Sequence, residues 1–131
     1  MTTTDTVRAI VALATLPALG EPLEGGTFAG IITRADGTHS AVVLLPEKGT
    51  ELTWKQAKEW AAGLDAELPS RPVAALLFAN VKQQLEPRWH WTSDEDGASY
   101  AWSCYFLYGY QGNGPKSYEG CAVAVRMIPL A

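Results

Sequence analysis

Cysteine is scarce in this sequence, where Cys104 and Cys121 are the only two among 131 residues. Two cysteines are too few for a scaffold built on disulfides, and they lack the paired spacing of a zinc site. They flank the segment between them and could face each other across two antiparallel strands, either as a disulfide that braces the segment or as two buried thiols. Stability must therefore come from a hydrophobic core.

Charge is also sparse, at 18% of residues, and the net charge of −4 leaves no excess of cations. Lys and Arg are scattered between Arg8 and Arg126 and form no basic stripe, which argues against nucleic acid as a partner. The apolar run at 9–19 is too short to span a bilayer, and Asp5 precedes it where a signal peptide would have a basic cluster. We expect synthesis in the cytoplasm without a signal peptide, and no membrane insertion.

Hydrophobic residues make up 47% of the sequence, enough for one domain with a core. No repeat or low-complexity linker divides the chain. We assign residues 1–22 to an N-terminal segment, in which apolar spacing at 6–16 predicts a short helix that ends before Pro17. Residues 23–131 form the predicted domain.

Turn and capping signals predict the first elements of this domain. Asp36 and Gly37 separate two β-prone runs, 27–33 and 40–45, and predict an antiparallel hairpin. A capping box at Thr53 predicts the start of one helix, and Ser70 is a predicted cap for a second. The predicted buried faces of the two helices are Trp54, Ala57, Ala61 and Leu64, followed by Val73, Leu76, Leu77, Val81 and Leu85.

Beyond Pro87 the sequence becomes rich in aromatic and turn-forming residues. Alternation predicts short strands at 89–91, 101–106 and 122–128, with a long irregular loop between the last two. A hairpin and two helices followed by short strands make α+β the predicted fold class.

Between about residues 26 and 128, several short motifs and single residues occur in the order in which a known protein family has them. They are Asp36 and Gly37, the segments LTWKQAKEWA, LPSRP, WHWTS and AVAVR, and Ala101, Trp102, Phe106, Gly109, Gln111 and Lys116. In these residues the chain resembles bacterial and phage domains related to the C-terminus of the Legionella collagen-like protein. The resemblance implies a C-type-lectin-like fold with two helices, small antiparallel sheets and a long C-terminal loop region. Some members of this group are variable proteins of diversity-generating retroelements, whose C-terminal residues are rewritten at adenines of a template copy.

One departure concerns calcium. Calcium-dependent sugar-binding lectins carry Glu-Pro-Asn or Gln-Pro-Asp, whereas this chain has Glu86, Pro87 and Arg88, which puts a cation where an amide ligand is needed. Calcium-mediated sugar binding is therefore not expected, and we predict no metal and no cofactor.

Residues 101–120 separate into framework and surface positions. The predicted framework is Ala101, Trp102, Phe106, Gly109, Gln111, Lys116, Ser117, Tyr118, Glu119 and Gly120. The predicted binding residues are Tyr105, Leu107, Tyr108, Tyr110, Gly112, Asn113, Gly114 and Pro115, with His90 and Ser103 as additional candidates. The residue types at the first eight of these positions are all reachable from an Asn codon by substitution at its adenines. Tyr offers a large contact area, while Gly and Asn shape loops; the alternative is a Gly-rich surface loop whose tyrosines pack on the core.

Other polar residues have two interpretations each. Asp94, Glu95 and Asp96 either bind a hard cation or form a solvated turn before Gly97, which is the commoner role. His90 is a base or ligand, or else a structural or surface residue, since no Ser or Cys nucleophile lies in a recognisable turn nearby. We interpret Arg71 and Lys116 as solvated or paired structural charges and predict no catalytic residue.

The sequence thus predicts a non-enzymatic protein, encoded by a phage or prophage, that binds a protein or cell-surface ligand through a Tyr- and Gly-rich surface. The alternative is a structural or assembly accessory protein of a phage particle, with the same fold and a fixed interface. Association with the virion and self-association into a homo-oligomer are further expectations. An oxidase on a similar fold would need a reactive cysteine pair in a substrate groove.

Overall fold

The computed structural model describes residues 15–130 and shows an α+β fold with two helices and a seven-stranded sheet. The strands are β1 (Pro22–Leu23), β2 (Gly26–Thr33), β3 (His39–Leu52), β4 (Trp89–Glu95), β5 (Tyr100–Tyr105), β6 (Tyr110–Pro115) and β7 (Gly120–Pro129). The helices are α1 (Trp54–Gly63) and α2 (Arg71–Val81), and a short 3-10 turn (Lys82–Gln84) follows α2. The predicted helix at 6–16 falls almost entirely outside the described residues.

Both predicted helix starts are confirmed. Thr53 Oγ1 accepts a hydrogen bond from the Gln56 amide at 3.3 Å, and Gln56 Oε1 accepts one from the Thr53 amide at 3.0 Å. Ser70 Oγ accepts from the Val73 amide at 3.3 Å, at the first turn of α2. These bonds satisfy amides that have no partner within the helix, so local sequence is sufficient to start both helices.

The predicted hairpin is also confirmed, and it consists of β2 and β3. Gly37 has φ +86°, and the Asp36 carboxylate accepts hydrogen bonds from the amide and hydroxyl of Thr38. Hydrogen bonds from Thr38 lower the pKa of the Asp36 carboxyl. β3 continues past the predicted end at residue 45 to Leu52, because its second half pairs with β7.

The sheet has the order β1-β2-β3-β7-β4-β5-β6. All neighbouring strands are antiparallel except β4 and β7, which are parallel where His90 lies beside Cys121. The sequence predicts several small sheets, but the structure has a single one. The strands join into one sheet because the start of β7 pairs with β3 on one side and with β4 on the other.

The prediction of a long irregular loop between β5 and β7 is wrong, because residues 110–115 form the strand β6. Six residue pairs join it to β5, from Tyr100 opposite Pro115 to Tyr105 opposite Tyr110. Gly, Asn and Pro disfavour strands, but pairing with an existing strand outweighs this preference. β6 is an edge strand, where a terminal proline needs no ladder hydrogen bond.

Cys104 and Cys121 are free and buried, which confirms the thiol interpretation and excludes the disulfide. They do not face each other, because His90 of β4 lies between them in register with both. Burial raises the pKa of the Cys104 thiol to about 11 and also raises the pKa of Cys121.

Two hydrophobic clusters occupy the interior, one beside each helix. Trp54 of α1 packs with Phe28 and Val43, while Leu77 of α2 packs with Phe106 among other residues. Leu16, from the predicted N-terminal segment, is partly buried against the α1 cluster. Across residues 15–130, no helix is long and apolar enough to cross a membrane.

Candidate ligand-binding surface

The two faces of the β4–β5–β6 ribbon differ in their surroundings. His90 is in register with Cys104, and both side chains are buried, with Cys104 in the cluster beside α2. Trp89 is in register with Tyr105, which in turn lies opposite Tyr110. Since side chains alternate along a strand, these three aromatic residues share the face opposite to that of His90.

On this face, Trp89, Tyr105, Tyr108 and Tyr110 form a continuous aromatic row. Ring centroids are 5.1 Å apart between Trp89 and Tyr105, 6.0 Å between Tyr105 and Tyr108, and 5.7 Å between Tyr108 and Tyr110. Tyr108 and Tyr110 are nevertheless 62% and 65% exposed. The rings thus hold one another in favourable geometries while presenting a large surface to solvent.

The turn between β5 and β6 positions this row. Phe106, the first residue of the turn, is buried and anchors it to the core. The Gly109 amide donates a hydrogen bond to the Tyr105 carbonyl at 2.7 Å. Gly109 has φ +82°, a conformation that glycine adopts without steric cost. Leu107 lies half-buried in the turn, whereas Tyr108 in the turn and Tyr110 at the start of β6 are exposed.

Beside the row lies a cavity of about 250 Å³, lined by Trp89, Trp91, Ser103, Tyr118 and residues 113–115, among others. A Cβ atom at Gly112 would lie 3.7 Å from Cη2 of Trp89, so the indole ring covers this position of β6. A Cβ atom at Gly114 would have no heavy atom within 4 Å. The cavity therefore exists because β6 has small residues here, and the aromatic side chains form its other walls.

The structure brings most of the predicted binding residues to this surface. Tyr105, Tyr108 and Tyr110 belong to the aromatic row, and Gly112 lies beside Trp89. The other members border the cavity, except Leu107 in the turn; they are Ser103, Asn113, Gly114 and Pro115. Asn113 is also held in place, since its amide donates to the Asp96 carboxylate at 2.6 Å.

Two contributors to the surface are missing from the sequence-based prediction. Trp89 is 38% exposed and borders the cavity. The assignment of Tyr118 to the framework is wrong, because this residue is 56% exposed, with its ring edge-on to that of Trp91 at 6.5 Å between centroids. The alternation of Trp89, His90 and Trp91 was the available signal for Trp89, since a strand puts both indoles on the face opposite the histidine.

His90 borders the cavity, but its side chain is only 2% exposed and therefore offers little contact area. Nδ1 lies 2.9 Å from the Arg88 carbonyl, to which it donates a hydrogen bond, and the ring lies 4.8 Å from that of Phe106. Burial lowers the pKa of His90, so the neutral ring is favoured. These contacts are those of a structural residue.

The lowered pKa of His90 predicts a loss of stability in mild acid. The unfolded chain, with an ordinary His pKa near 6.5, binds a proton that the folded chain resists, so stability is complete above pH 6.5 and falls as the pH drops towards the lowered folded value. Urea unfolding at pH 7.5 and pH 5.5 should show this decrease. His90→Gln should remove most of it, whereas His39→Gln, which changes the only other histidine, should retain it. Equal pH dependence in the wild type and His90→Gln would contradict the assignment.

The three adjacent acids do not converge on a common point. Asp94 accepts a hydrogen bond from the Arg71 amide at 2.8 Å, and Glu95 forms an ion pair with Lys116 at 2.6 Å. Asp96 accepts from Asn113, as described above. The hydrogen bond from Lys116 lowers the pKa of Glu95. Within residues 15–130, no cluster of three or more His, Cys, Asp or Glu side chains is arranged for a metal ion.

Arg71 and Lys116 are both paired, as one of the two interpretations from the sequence predicts. The Arg71 guanidinium lies 3.7 Å from the centre of the Trp102 ring and donates from Nε to Gln111 Oε1 at 2.9 Å. Gln111 donates back to the Arg71 carbonyl at 2.8 Å. These two hydrogen bonds connect the start of α2 to β6 and so fix the position of the edge strand, which carries Tyr110 of the aromatic row.

Comparison of the chain with models of known protein families produces no match, and comparison with curated proteins produces none either.

Proposed function

We propose that this chain is a C-type-lectin-like domain that binds a protein or cell-surface ligand through the aromatic row and the adjoining cavity. The observation that carries the proposal is the exposure of Tyr108 and Tyr110, at 62% and 65%, in a hydrogen-bonded turn and at the start of β6. Exposed tyrosines on a rigid scaffold supply a large contact area at low cost in conformational entropy, as in antibody paratopes.

The division between framework and surface supports a site whose residues can be exchanged. Phe106 is buried, and Gln111 is bonded to Arg71, so these positions carry the fold. Tyr108 and Tyr110 contact mainly each other and Tyr105 among aromatic rings, so their replacement leaves the core unchanged. We propose that this surface is diversified by a retroelement. Sequencing of the surrounding DNA tests this: a near-identical repeat that differs at adenines, beside a reverse transcriptase gene, is expected, and a locus without either contradicts diversification.

A binding role without catalysis agrees with the state of the cysteines. A buried thiol with a pKa near 11 is almost fully protonated at neutral pH and is a poor nucleophile. The same property argues against an oxidase that requires a reactive cysteine pair.

The double substitution Tyr108→Ala/Tyr110→Ala tests ligand binding. We expect the melting temperature to change by only a few degrees, because both side chains are exposed, and partner affinity to fall at least about tenfold, as for aromatic hot-spot residues. The partner is first isolated from host surface proteins with wild-type chain and identified, and its affinity is then measured by calorimetry with each variant. Tyr100→Ala is the matched control, since Tyr100 is 45% exposed but lies at the far end of β5.

Two results would contradict this function. If the double variant unfolds, the tyrosines belong to the core. If the wild type forms an oligomer that the double variant disrupts, and no other partner binds, the surface is the fixed interface of an assembly protein.

A further inference from the structure

We propose that the cavity beside the aromatic row accepts one cationic side chain, an arginine or a lysine, that projects from a protein ligand. The inference rests on the proposed function, because it names the chemistry that one part of the binding surface recognises. It concerns a depression built by Trp89, Tyr118 and the small residues of β6, and not the tyrosines at the turn.

The size of the cavity limits its occupant. A volume of about 250 Å³ is below the roughly 300–1,000 Å³ typical of pockets for whole small molecules. One long side chain suits this space better than an oligosaccharide or a cofactor. The cavity also opens at the protein surface beside the aromatic row, so a side chain on a docked partner can reach it.

The walls of the cavity attract cations. Trp89 and Tyr118 are 38% and 56% exposed, and Trp89 is held by stacking on Tyr105 with an interplanar angle of 16°. The faces of aromatic rings carry negative potential and attract ammonium and guanidinium groups. A partner's arginine would find here the kind of contact that Arg71 makes with Trp102 elsewhere in the fold.

An adjoining recess adds negative charge. This recess of about 540 Å³ shares Trp89 and Tyr118 with the cavity and is bordered by Glu51, Glu86 and Glu119. The nearby Arg88 lies 3.6 Å from Glu86, which offsets one carboxylate. In the described part of the chain, neither Glu51 nor Glu119 has a cation within ion-pair distance. The two unpaired carboxylates favour a cationic occupant over a neutral or anionic one.

The polar groups of the cavity do not favour a sugar. Trp91 Nε1 donates to the Leu52 carbonyl at 2.9 Å, and Ser103 Oγ donates to the Gly112 carbonyl at 3.2 Å. Recognition of a sugar requires several free donors and acceptors that converge on its hydroxyl groups. Because these two donors are already used, ring faces and the negative charge of the recess supply a larger part of the attraction.

The experiment titrates the full chain with N-acetyl-arginine methylamide and follows tryptophan fluorescence and the indole N–H signals by NMR. We expect saturable binding in the millimolar range, as is usual for a single side chain. N-acetyl-citrulline methylamide has nearly the same shape without the charge and should bind at least about tenfold more weakly. Methyl glucoside is the sugar probe and should not bind.

Matched variants locate the site. Gly114→Leu should abolish binding of the arginine probe by filling the cavity, and it should still fold because the added Cβ meets no heavy atom within 4 Å. Tyr118→Ala and Glu119→Gln should each weaken binding severalfold, by removing a ring face or a negative charge. Tyr100→Ala should have no effect, because this exposed tyrosine does not line the cavity and alternation along β5 puts its side chain on the same face as Cys104.

Equal binding of the arginine and citrulline probes, binding of methyl glucoside alone, or no saturable binding would each overturn the inference. The Tyr108→Ala/Tyr110→Ala variant separates this outcome from the proposed function, since neither tyrosine lines the cavity. If that variant loses the protein partner while the wild type shows no arginine binding, the function stands and the cation site fails. If the probe binds as expected but the partner binds the Tyr108→Ala/Tyr110→Ala variant as tightly as the wild type, the cation site stands. The proposed function of the aromatic row is then contradicted.

Discussion

Phe106→Ala is expected to lower the free energy of unfolding by about 3–5 kcal/mol, the usual cost of removing a buried phenylalanine ring. Phe106 is 1% exposed, packs in the α2 cluster and lies 4.8 Å from the ring of His90. Removal of the ring leaves a cavity between the sheet and α2 that surrounding residues fill only in part. Such a loss is a large fraction of the roughly 5–15 kcal/mol that stabilises an ordinary domain.

Urea denaturation followed by circular dichroism measures this effect. Tyr108→Ala, two residues further along the same turn, is the control and should change stability by less than about 0.5 kcal/mol, because its side chain is mostly exposed. A loss below about 1 kcal/mol for Phe106→Ala would contradict its role as the anchor of the turn. Since Phe106 is the first residue of the turn that carries Tyr108, its loss should also weaken ligand binding at temperatures where the variant remains folded.

Gly109→Ala is expected to destabilise the protein by about 2–4 kcal/mol through two separate effects. The residue has φ +82°, where any side chain costs about 1–2 kcal/mol. In addition, the new Cβ would lie 2.8 Å from two ring carbons of Phe78, so this ring on α2 must shift, at a cost of about 1–2 kcal/mol.

Gly97→Ala separates the two effects. Gly97 lies in the turn between β4 and β5 and also has φ +82°, but a Cβ there meets no heavy atom within 4 Å. Chemical denaturation should therefore show only the conformational cost of about 1–2 kcal/mol for this variant. Equal losses for the two variants would show that the contact with Phe78 costs nothing and that the turn is free to move away from α2.

Local signals predicted much of the first half of the chain. The capping box joins Thr53 to Gln56, and the hairpin turn depends on Asp36 and Gly37, so in each case the interacting residues are close in sequence. Such interactions form wherever the short segment occurs, whatever the rest of the fold does. The α+β class followed from these elements.

The edge strand β6 could not be predicted in this way. Its sequence, YQGNGP, has the composition of a loop, and its strand conformation depends on pairing with β5 and on the bonds between Gln111 and Arg71, 40 residues earlier. Tyr118 was misassigned for a related reason. Whether a tyrosine near a turn is buried depends on the space beside it, and sequence does not report that space.

The sequence by itself determined the helix starts, the β2–β3 turn and the α+β class, because short-range hydrogen bonds and residue type decide these features. Tertiary structure alone decided that Trp89 and Tyr118 enclose a cavity with Gly114 of β6, that His90 separates the two cysteines, and that the three acids take separate partners. Each of these outcomes depends on strand register between residues far apart in the chain, and a change of register by one residue would turn every side chain to the other face.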